Sequence, residues 1–147
     1  MSDGEIMVVI DAKGLVAGRL ASKVAKRIIR GETITIVNAE EVIVVGTSPE
    51  SILEKYKRRT DAAVKGNPHY GPKYARIPDR IVRRMIRNML PTKKRQKERI
   101  IERLMVFNSI PTELAKEKME TFDDIKFNDR HNFMTMKEIA HAIGGQW

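Results

Sequence analysis

Apolar residues follow two different patterns along the first 30 positions. Residues 6–10 are apolar without a break, which is typical of a strand buried on both faces. In residues 15–30 the apolar positions recur every fourth residue, and Gly31 then ends the pattern. These recurring positions are Val16, Leu20, Val24 and Ile28. The spacing predicts a helix that buries one side.

The same two patterns alternate through the rest of the chain. Further strands are predicted at residues 33–37, 41–45 and 104–107, where β-branched and other apolar residues cluster. Further helices are predicted at 49–59 with Ser48 as N-cap, at 78–90, at 93–103, and from the capping box at 135–138 to Gly144. Residues 61–77 contain two glycines and two prolines without periodicity, which predicts a long loop.

Alternating strands and helices favour an α/β fold. We expect a three-layer α/β/α arrangement around a mainly parallel sheet of about four strands. Residues 1–110 are predicted to form the core domain, which includes the loop and the helices that follow it. Residues 111–147 are acidic and weakly patterned before their short helix, so they are predicted to form a C-terminal extension.

The amino-acid composition excludes several classes of protein. The 147 residues include no cysteine, which excludes thiol catalysis, thiolate zinc sites and disulfides. No apolar run reaches the roughly 18 residues of a membrane span. The first residues are acidic, whereas a signal peptide begins with basic ones. We therefore expect a soluble, cytoplasmic protein that does not associate with membranes.

The net charge of +9 is concentrated in one third of the chain. Residues 55–103 contain 17 Lys and Arg against 4 Asp and Glu, a net of +13, whereas the segments before and after each carry −2. A single-sign field repels itself, so it is more often matched by a polyanion than left alone. RNA is the first interpretation of this polyanion. The alternative is that the same charge binds DNA or an anionic membrane surface.

Helical spacing places many of these cations on common faces. In the first helix four cations lie within about 60° of arc, away from the apolar side. They are Arg19, Lys23, Lys26 and Arg30. The helix at 78–90 carries Arg80, Arg83, Arg84 and Arg87 on one side. Further candidates for phosphate contact are Lys57, Arg58, Arg59, Lys93, Lys94, Arg95, Lys97 and Arg99. A solvated basic face is the structural alternative for each helix.

The loop at 61–77 mixes planar side chains with cations. Its candidate RNA-binding residues are Lys65, His69, Tyr70, Lys73, Tyr74 and Arg76. Aromatic rings stack on unpaired bases while cations hold the backbone, as in recognition of single-stranded or looped RNA. Packing of Tyr70 and Tyr74 against the domain is an equally good explanation.

Enzymatic interpretations are weaker. The turn with Gly14 and Gly18 follows a strand and precedes a helix, so the alternative function is a nucleotide-binding α/β enzyme. Its spacing fits neither phosphate-loop motif, and we expect Gly18 to allow close helix packing on the sheet. Asp11 ends a strand, where α/β enzymes keep catalytic groups, but a turn role is favoured.

No spacing for a metal or catalytic triad occurs, so we expect no cofactor, metal or small-molecule substrate.

Several blocks resemble a known family. They are residues 11–22 (DAKGLVAGRLAS), 37–40 (VNAE), 71–78 (GPKYARIP), 89–91 (MLP) with the basic run after it, and 103–107 (RLMVF). In this order and spacing they resemble the universal large-subunit ribosomal protein L-thirteen family over about residues 7–111. Residues 134–140 (MTMKEIA) are similar to the C-terminal helix of its archaeal and eukaryotic form. Asn88 and Gln96 stand where this family usually has glycine.

The resemblance implies a function as well as a fold. It implies a three-layer α/β/α domain and a structural role in the large ribosomal subunit, located in cytoplasmic ribosomes. Its implied partners are large-subunit ribosomal RNA and neighbouring large-subunit ribosomal proteins. We expect the RNA contacts to come from the basic loop and the basic helix faces.

Overall fold

A computed structural model of the chain describes residues 7–62, 66, 73–128 and 131–147. Its strands are β1 (Met7–Asp11), β2 (Thr33–Val37), β3 (Ile43–Gly46), β4 (Leu104–Val106), β5 (Met119–Glu120) and β6 (Asn132–Thr135). Its helices are α1 (Ala17–Ile29), α2 (Pro49–Asp61), α3 (Pro78–Asn88), α4 (Lys94–Ile101) and α5 (Met136–Ala142). Single 3-10 turns lie at Ala39–Glu41 and Asp123–Ile125.

Four parallel strands form the main sheet in the order β4-β2-β1-β5. Along β1 and β2, Met7 lies opposite Thr33 and Asp11 lies opposite Val37. Consecutive residues of a strand point to opposite faces, and four consecutive residues of β2 are buried, so both faces of the sheet are covered. The three-layer α/β/α fold with a mainly parallel sheet of four strands is confirmed.

The strand predicted at 41–45 forms as β3, but it lies outside the main sheet. It pairs antiparallel with β6, with Ile43 opposite Thr135. Only five residues separate β2 from β3. A parallel crossover needs a dozen or more residues, so β3 cannot join the parallel sheet directly after β2. The chain turns away at Asn38, which has a left-handed backbone at φ 61°.

The fourth position in the main sheet belongs to β5, which the sequence pattern does not predict. Val9 and Ile10 of β1 lie opposite Met119 and Glu120. A strand of two residues has no periodicity of its own, and its conformation depends on pairing with a strand more than 100 residues earlier. For the same reason the short strand β6 was also missed.

The helix predicted at 15–30 is confirmed as α1. Leu20, Val24 and Ile28 are fully buried, as their spacing predicts. Gly31 follows the helix with φ +107°, a conformation that favours glycine, and its amide donates to the Ile28 carbonyl oxygen at 3.1 Å.

The remaining helix boundaries agree with the sequence signals to within a few residues. The Ser48 hydroxyl accepts from the Ser51 amide at 3.1 Å, so Ser48 is the N-cap of α2 as predicted. The predicted capping box of α5 is present, because Thr135 and Glu138 each accept from the other's backbone amide. Most of the loop predicted at 61–77 lies outside the described residues.

Residues after 110 contribute to the same hydrophobic core as those before it. Met136 and Ile139 of α5 are fully buried, and Ile125 is nearly so. The Arg76 guanidinium donates to the Ile143 carbonyl oxygen at 3.0 Å, beyond the end of α5. The domain boundary near residue 110 stays a prediction.

Two glycines differ sharply in the space around them. A Cβ built on Gly145 would lie 2.0 Å from the Arg76 carbonyl oxygen and 3.0 Å from that of Ala140. A Cβ on Gly18 would meet nothing within 4 Å. The expectation that Gly18 permits close packing is therefore wrong, because this position near the start of α1 is exposed.

We predict that Gly145→Ala lowers the free energy of unfolding by about 1–3 kcal/mol, because backbone must move to accommodate the methyl group. Gly18→Ala is the matched control, and it should stabilise the protein by about 0.5 kcal/mol through helix propensity. Urea unfolding followed by circular dichroism measures both. Equal midpoints for the two variants would contradict the prediction.

Candidate nucleic-acid interface

Helix α3 separates its apolar and basic side chains onto opposite sides. Ile81, Val82 and Ile86 are buried in the core. Pro78 occupies the first helical position, where its missing amide hydrogen and fixed φ suit a helix start. The four predicted arginines all lie on the exposed side, namely Arg80, Arg83, Arg84 and Arg87. The predicted basic face therefore exists on the surface of the protein.

Three of these arginines have no neutralising contact within the described part of the chain. Among the described residues, no side-chain hydrogen bond or ion pair involves Arg80, Arg83 or Arg87. Arg84 differs, because its guanidinium lies 4.5 Å from the centre of the Tyr74 ring and donates to the Lys73 carbonyl oxygen at 2.9 Å. Tyr74 is half-buried, so it both packs and remains partly accessible.

Helix α4 continues the basic surface after α3. The predicted cations Lys93, Lys94, Arg95 and Arg99 are exposed, and Lys97 is half-buried. In the described part of the chain their side chains form no ion pair, since Glu98 and Glu102 also remain outside any such pair. Among the described residues, the cations of α3 and α4 therefore have no acidic partner.

Part of the predicted basic face of α1 is engaged in ion pairs within the protein. Lys23 forms an ion pair with Asp124, and its ammonium lies 4.9 Å from the centre of the Phe122 ring. Arg27, on the neighbouring position of the helix, bonds Glu32 at 2.7 Å and Glu120 at 2.9 Å. These contacts hold the segment around β5 against α1. The other predicted cations of α1 are exposed without an ion pair among the described residues, namely Arg19, Lys26 and Arg30.

These ion pairs shift the acid–base equilibria of their members. The hydrogen bond from Arg27 holds the pKa of Glu32 below its ordinary value of 4.5. The hydrogen bond to Glu32 likewise raises the pKa of Arg27. The hydrogen bond from Lys23 lowers the pKa of Asp124. All three groups are therefore charged at neutral pH, and they serve the fold.

The cations at the end of α2 have mixed surroundings. Arg58 bonds Glu54 one turn earlier at 2.8 Å, while Lys57 is exposed without such a partner among the described residues. The Arg59 guanidinium lies 5.7 Å from the centre of the Tyr56 ring. Three predicted site residues, Lys65, His69 and Tyr70, lie outside the described residues.

A cleft of about 280 Å³ opens between α2 and α3. It is lined by both pairs of arginine and tyrosine side chains, Arg59 with Tyr56 and Arg84 with Tyr74. Asn88, at the end of α3, also contributes to the wall. Tyr56 is 6% exposed, and burial raises the pKa of its hydroxyl. The sequence predicted Arg59, Tyr74 and Arg84 as binding residues separately, and the fold brings them together.

Sequence reasoning missed some residues that matter here. Tyr56 follows the buried Ile52 by one helical turn, and this spacing could have placed it on the inner side of α2. Arg103 is a cation of the basic segment, but it donates to the Ile28 carbonyl oxygen at 2.9 Å and so caps the end of α1. No local pattern indicates that contact.

The backbone amides of the described turn at 12–16 all donate to acceptors within the protein. The amides of Ala12, Gly14 and Val16 donate to carbonyl oxygens of Val37, Glu41 and Ile125 at 3.1–3.2 Å. The amide of Leu15 donates to Ala12, and that of Lys13 to the Asp11 carboxylate at 3.0 Å. Asp11 also accepts from the Asn38 side chain at 2.8 Å, which confirms its turn role. A phosphate loop needs such amides unoccupied, so the nucleotide-binding alternative finds no support.

Within the described ranges, no group of three or more His, Asp and Glu side chains is placed to hold a metal ion. The same residues include no helix that is both long enough and apolar enough to cross a bilayer.

Comparison with known proteins identifies close relatives. Residues 5–113 match the family model described as Ribosomal protein L13. A relative from Methanocaldococcus jannaschii, named large ribosomal subunit protein uL13, is 39% identical, with 96% of this chain and 100% of the relative covered. Relatives of the same name from Thermoplasma acidophilum and Archaeoglobus fulgidus are 38% and 36% identical. The match with the Thermoplasma acidophilum relative covers 95% of this chain and 99% of that relative. The match with the Archaeoglobus fulgidus relative covers 96% of this chain and 90% of that relative.

We predict that Glu32→Gln lowers stability at pH 7 by about 0.5 kcal/mol, because a neutral amide loses the charge pairing with Arg27. The folded pKa of Glu32 is depressed, so its stabilisation is present above pH 4.5 and is lost as the pH falls below that value. The urea midpoint of the variant should therefore lie below that of the wild type at pH 7. At pH 3 the difference between the two midpoints should be smaller. An equal difference at both values would contradict the assigned ion pair.

Proposed function

The chain belongs to the ribosomal protein L13 family, and we propose that it binds large-subunit ribosomal RNA through the exposed cations of α3 and α4. Membership makes it a structural component of the large ribosomal subunit rather than an enzyme. The observation that carries the proposal is the row of exposed arginines on α3 that the fold leaves without acidic partners.

Phosphate is the ligand that these arginines suit best. A guanidinium offers a planar fork of donors that can meet two phosphate oxygens at once. The contrast with α1 supports this assignment, because there the fold supplies Asp124, Glu32 and Glu120 as partners for the cations. On α3 no carboxylate takes that place among the described residues, so these arginines are available to a partner molecule.

The remaining predicted cations fall into three groups in this proposal. Those of α4 extend the phosphate surface, Arg59 lines the cleft, and Lys57 and Lys73 are exposed on α2 and before α3. The exposed Arg19, Lys26 and Arg30 form a smaller basic area on α1. Lys23, Arg58 and Arg76 already bond within the protein, so we assign them a lesser share of RNA binding.

The proposal extends to partners and location. We infer that the protein lies in cytoplasmic ribosomes and contacts neighbouring large-subunit proteins as well as RNA. Relatives over nearly the whole chain carry the large-subunit name, which supports this inference. No small-molecule substrate or membrane partner is part of it.

The triple variant Arg80→Ala, Arg83→Ala, Arg87→Ala tests the proposal directly. We expect it to bind transcribed large-subunit ribosomal RNA at least about tenfold more weakly at physiological salt. The slope of log affinity against log salt should fall by about 2–3, because each lost phosphate contact contributes about 0.7–0.9. Filter binding across a salt series measures both quantities.

The matched control replaces Lys13, Lys116 and Lys118 with Ala, which removes the same charge from exposed positions elsewhere. Affinity and salt slope should then stay close to those of the wild type. If the two triple variants lose affinity equally, binding depends only on net charge and α3 is not the interface. Competition experiments with duplex DNA and with anionic vesicles test whether the protein prefers RNA to DNA and to an anionic membrane surface.

A further inference from the structure

The cleft between α2 and α3 combines aromatic rings with guanidinium planes at its entrance. Tyr74 and Arg84 are stacked at 4.5 Å, and both line the cleft. On the opposite wall Arg59 lies near the ring of Tyr56. Flat rings and flat guanidinium groups are the surfaces on which nucleobases stack. Phosphate contacts alone have no use for the two tyrosines.

The charge of the cleft favours an anionic ligand over an apolar peptide segment. Its described lining includes two arginines and no carboxylate. The shallow groove on α2 provides a contrast, because Glu50, Glu54 and Asp61 line it together with two cations. A polyanion would be repelled from that groove and drawn into the cleft.

Asn88 supplies the polar group that a base edge requires. It is exposed at the end of α3, and its side chain makes no hydrogen bond among the described residues. An amide both donates and accepts, so it can pair with a base edge that presents one acceptor and one donor. Stacking and edge recognition would then act on the same ligand.

The size and rigidity of the cleft set the size of that ligand. Pockets for drug-sized molecules usually start near 300 Å³, and this cleft has about 280 Å³, which suits one base rather than two. Arg84 is held by its bond to the Lys73 carbonyl oxygen, and Tyr56 is buried. Little side-chain freedom is therefore lost when a planar group enters.

We propose that this cleft binds a single unstacked nucleobase of RNA, which stacks on the Tyr74–Arg84 pair and is read by Asn88. The inference rests on the proposed function, because the flanking phosphates would be held by the cations of α3. It adds a contact that distinguishes RNA with an extruded base from a plain duplex, which a phosphate surface alone cannot do.

Two RNA hairpins of otherwise identical sequence provide the probes, one fully paired and one with a single bulged adenosine. Fluorescence anisotropy at about 50 mM salt should show the full chain binding the bulged hairpin roughly tenfold more tightly, as stacking of one base predicts. The ratio of the two affinities is the quantity of interest, since it cancels the contribution of phosphate contacts.

Tyr74→Leu should reduce this ratio to about one, because the ring on which the base stacks is lost. Tyr74→Phe is the matched control, because it keeps the ring and should keep the ratio. Asn88→Ala changes an exposed side chain and should lower the ratio severalfold in a folded protein. Circular dichroism spectra confirm that each variant is folded.

The outcomes separate this inference from the proposed function. A wild-type ratio near one, with tight and salt-dependent binding of both hairpins, would overturn the base-binding cleft and leave RNA binding by α3 intact. An unchanged ratio in both Tyr74→Leu and Asn88→Ala would overturn it as well. If the wild type binds neither hairpin, the proposed function fails and the cleft assignment fails with it.

Discussion

Burial of the apolar side of α3 determines where its arginines point. Ile81, Val82 and Ile86 can leave water only if the helix turns that side toward the core, and the opposite side must then face outward. The orientation of the basic surface is thus a consequence of hydrophobic packing and requires no specific interaction of its own. α1 obeys the same constraint, since Leu20 and Val24 are buried beneath its cations.

The basic faces of α1 and α3 differ in their contacts, because among the described residues acidic side chains pair with cations of α1 and not with those of α3. Asp124 and Glu120 reach α1 with the segment around β5, and together with Glu32 they neutralise Lys23 and Arg27. These pairs are partly exposed and individually weak, but two of them join residues 101 and 93 positions apart. The paired cations of α1 therefore stabilise the arrangement of the chain, whereas the arginines of α3 have no acidic partner among the described residues.

Local sequence patterns predicted the elements whose stability is local. The periodicity of α1 and α3 and the capping box before α5 depend on neighbours within a few residues, and all three were found where expected. The strand β5 and the ion pair of Lys23 depend on distant partners, so nothing in their own sequence indicates them. The cleft shows both cases, because Arg84 was predicted from helical spacing, but its proximity to Arg59 and Tyr56 requires the folded chain.

The position of α5 has a consequence for how the protein is made. Met136, Ile139 and Ala140 are completely buried, so they complete a core to which residues 10–104 contribute most of the side chains. During vectorial synthesis a nascent chain that has emerged only to residue 130 exposes an apolar gap where α5 will lie. Stable folding must therefore wait until these last core residues leave the exit tunnel, and a basic, incompletely closed intermediate needs protection until then.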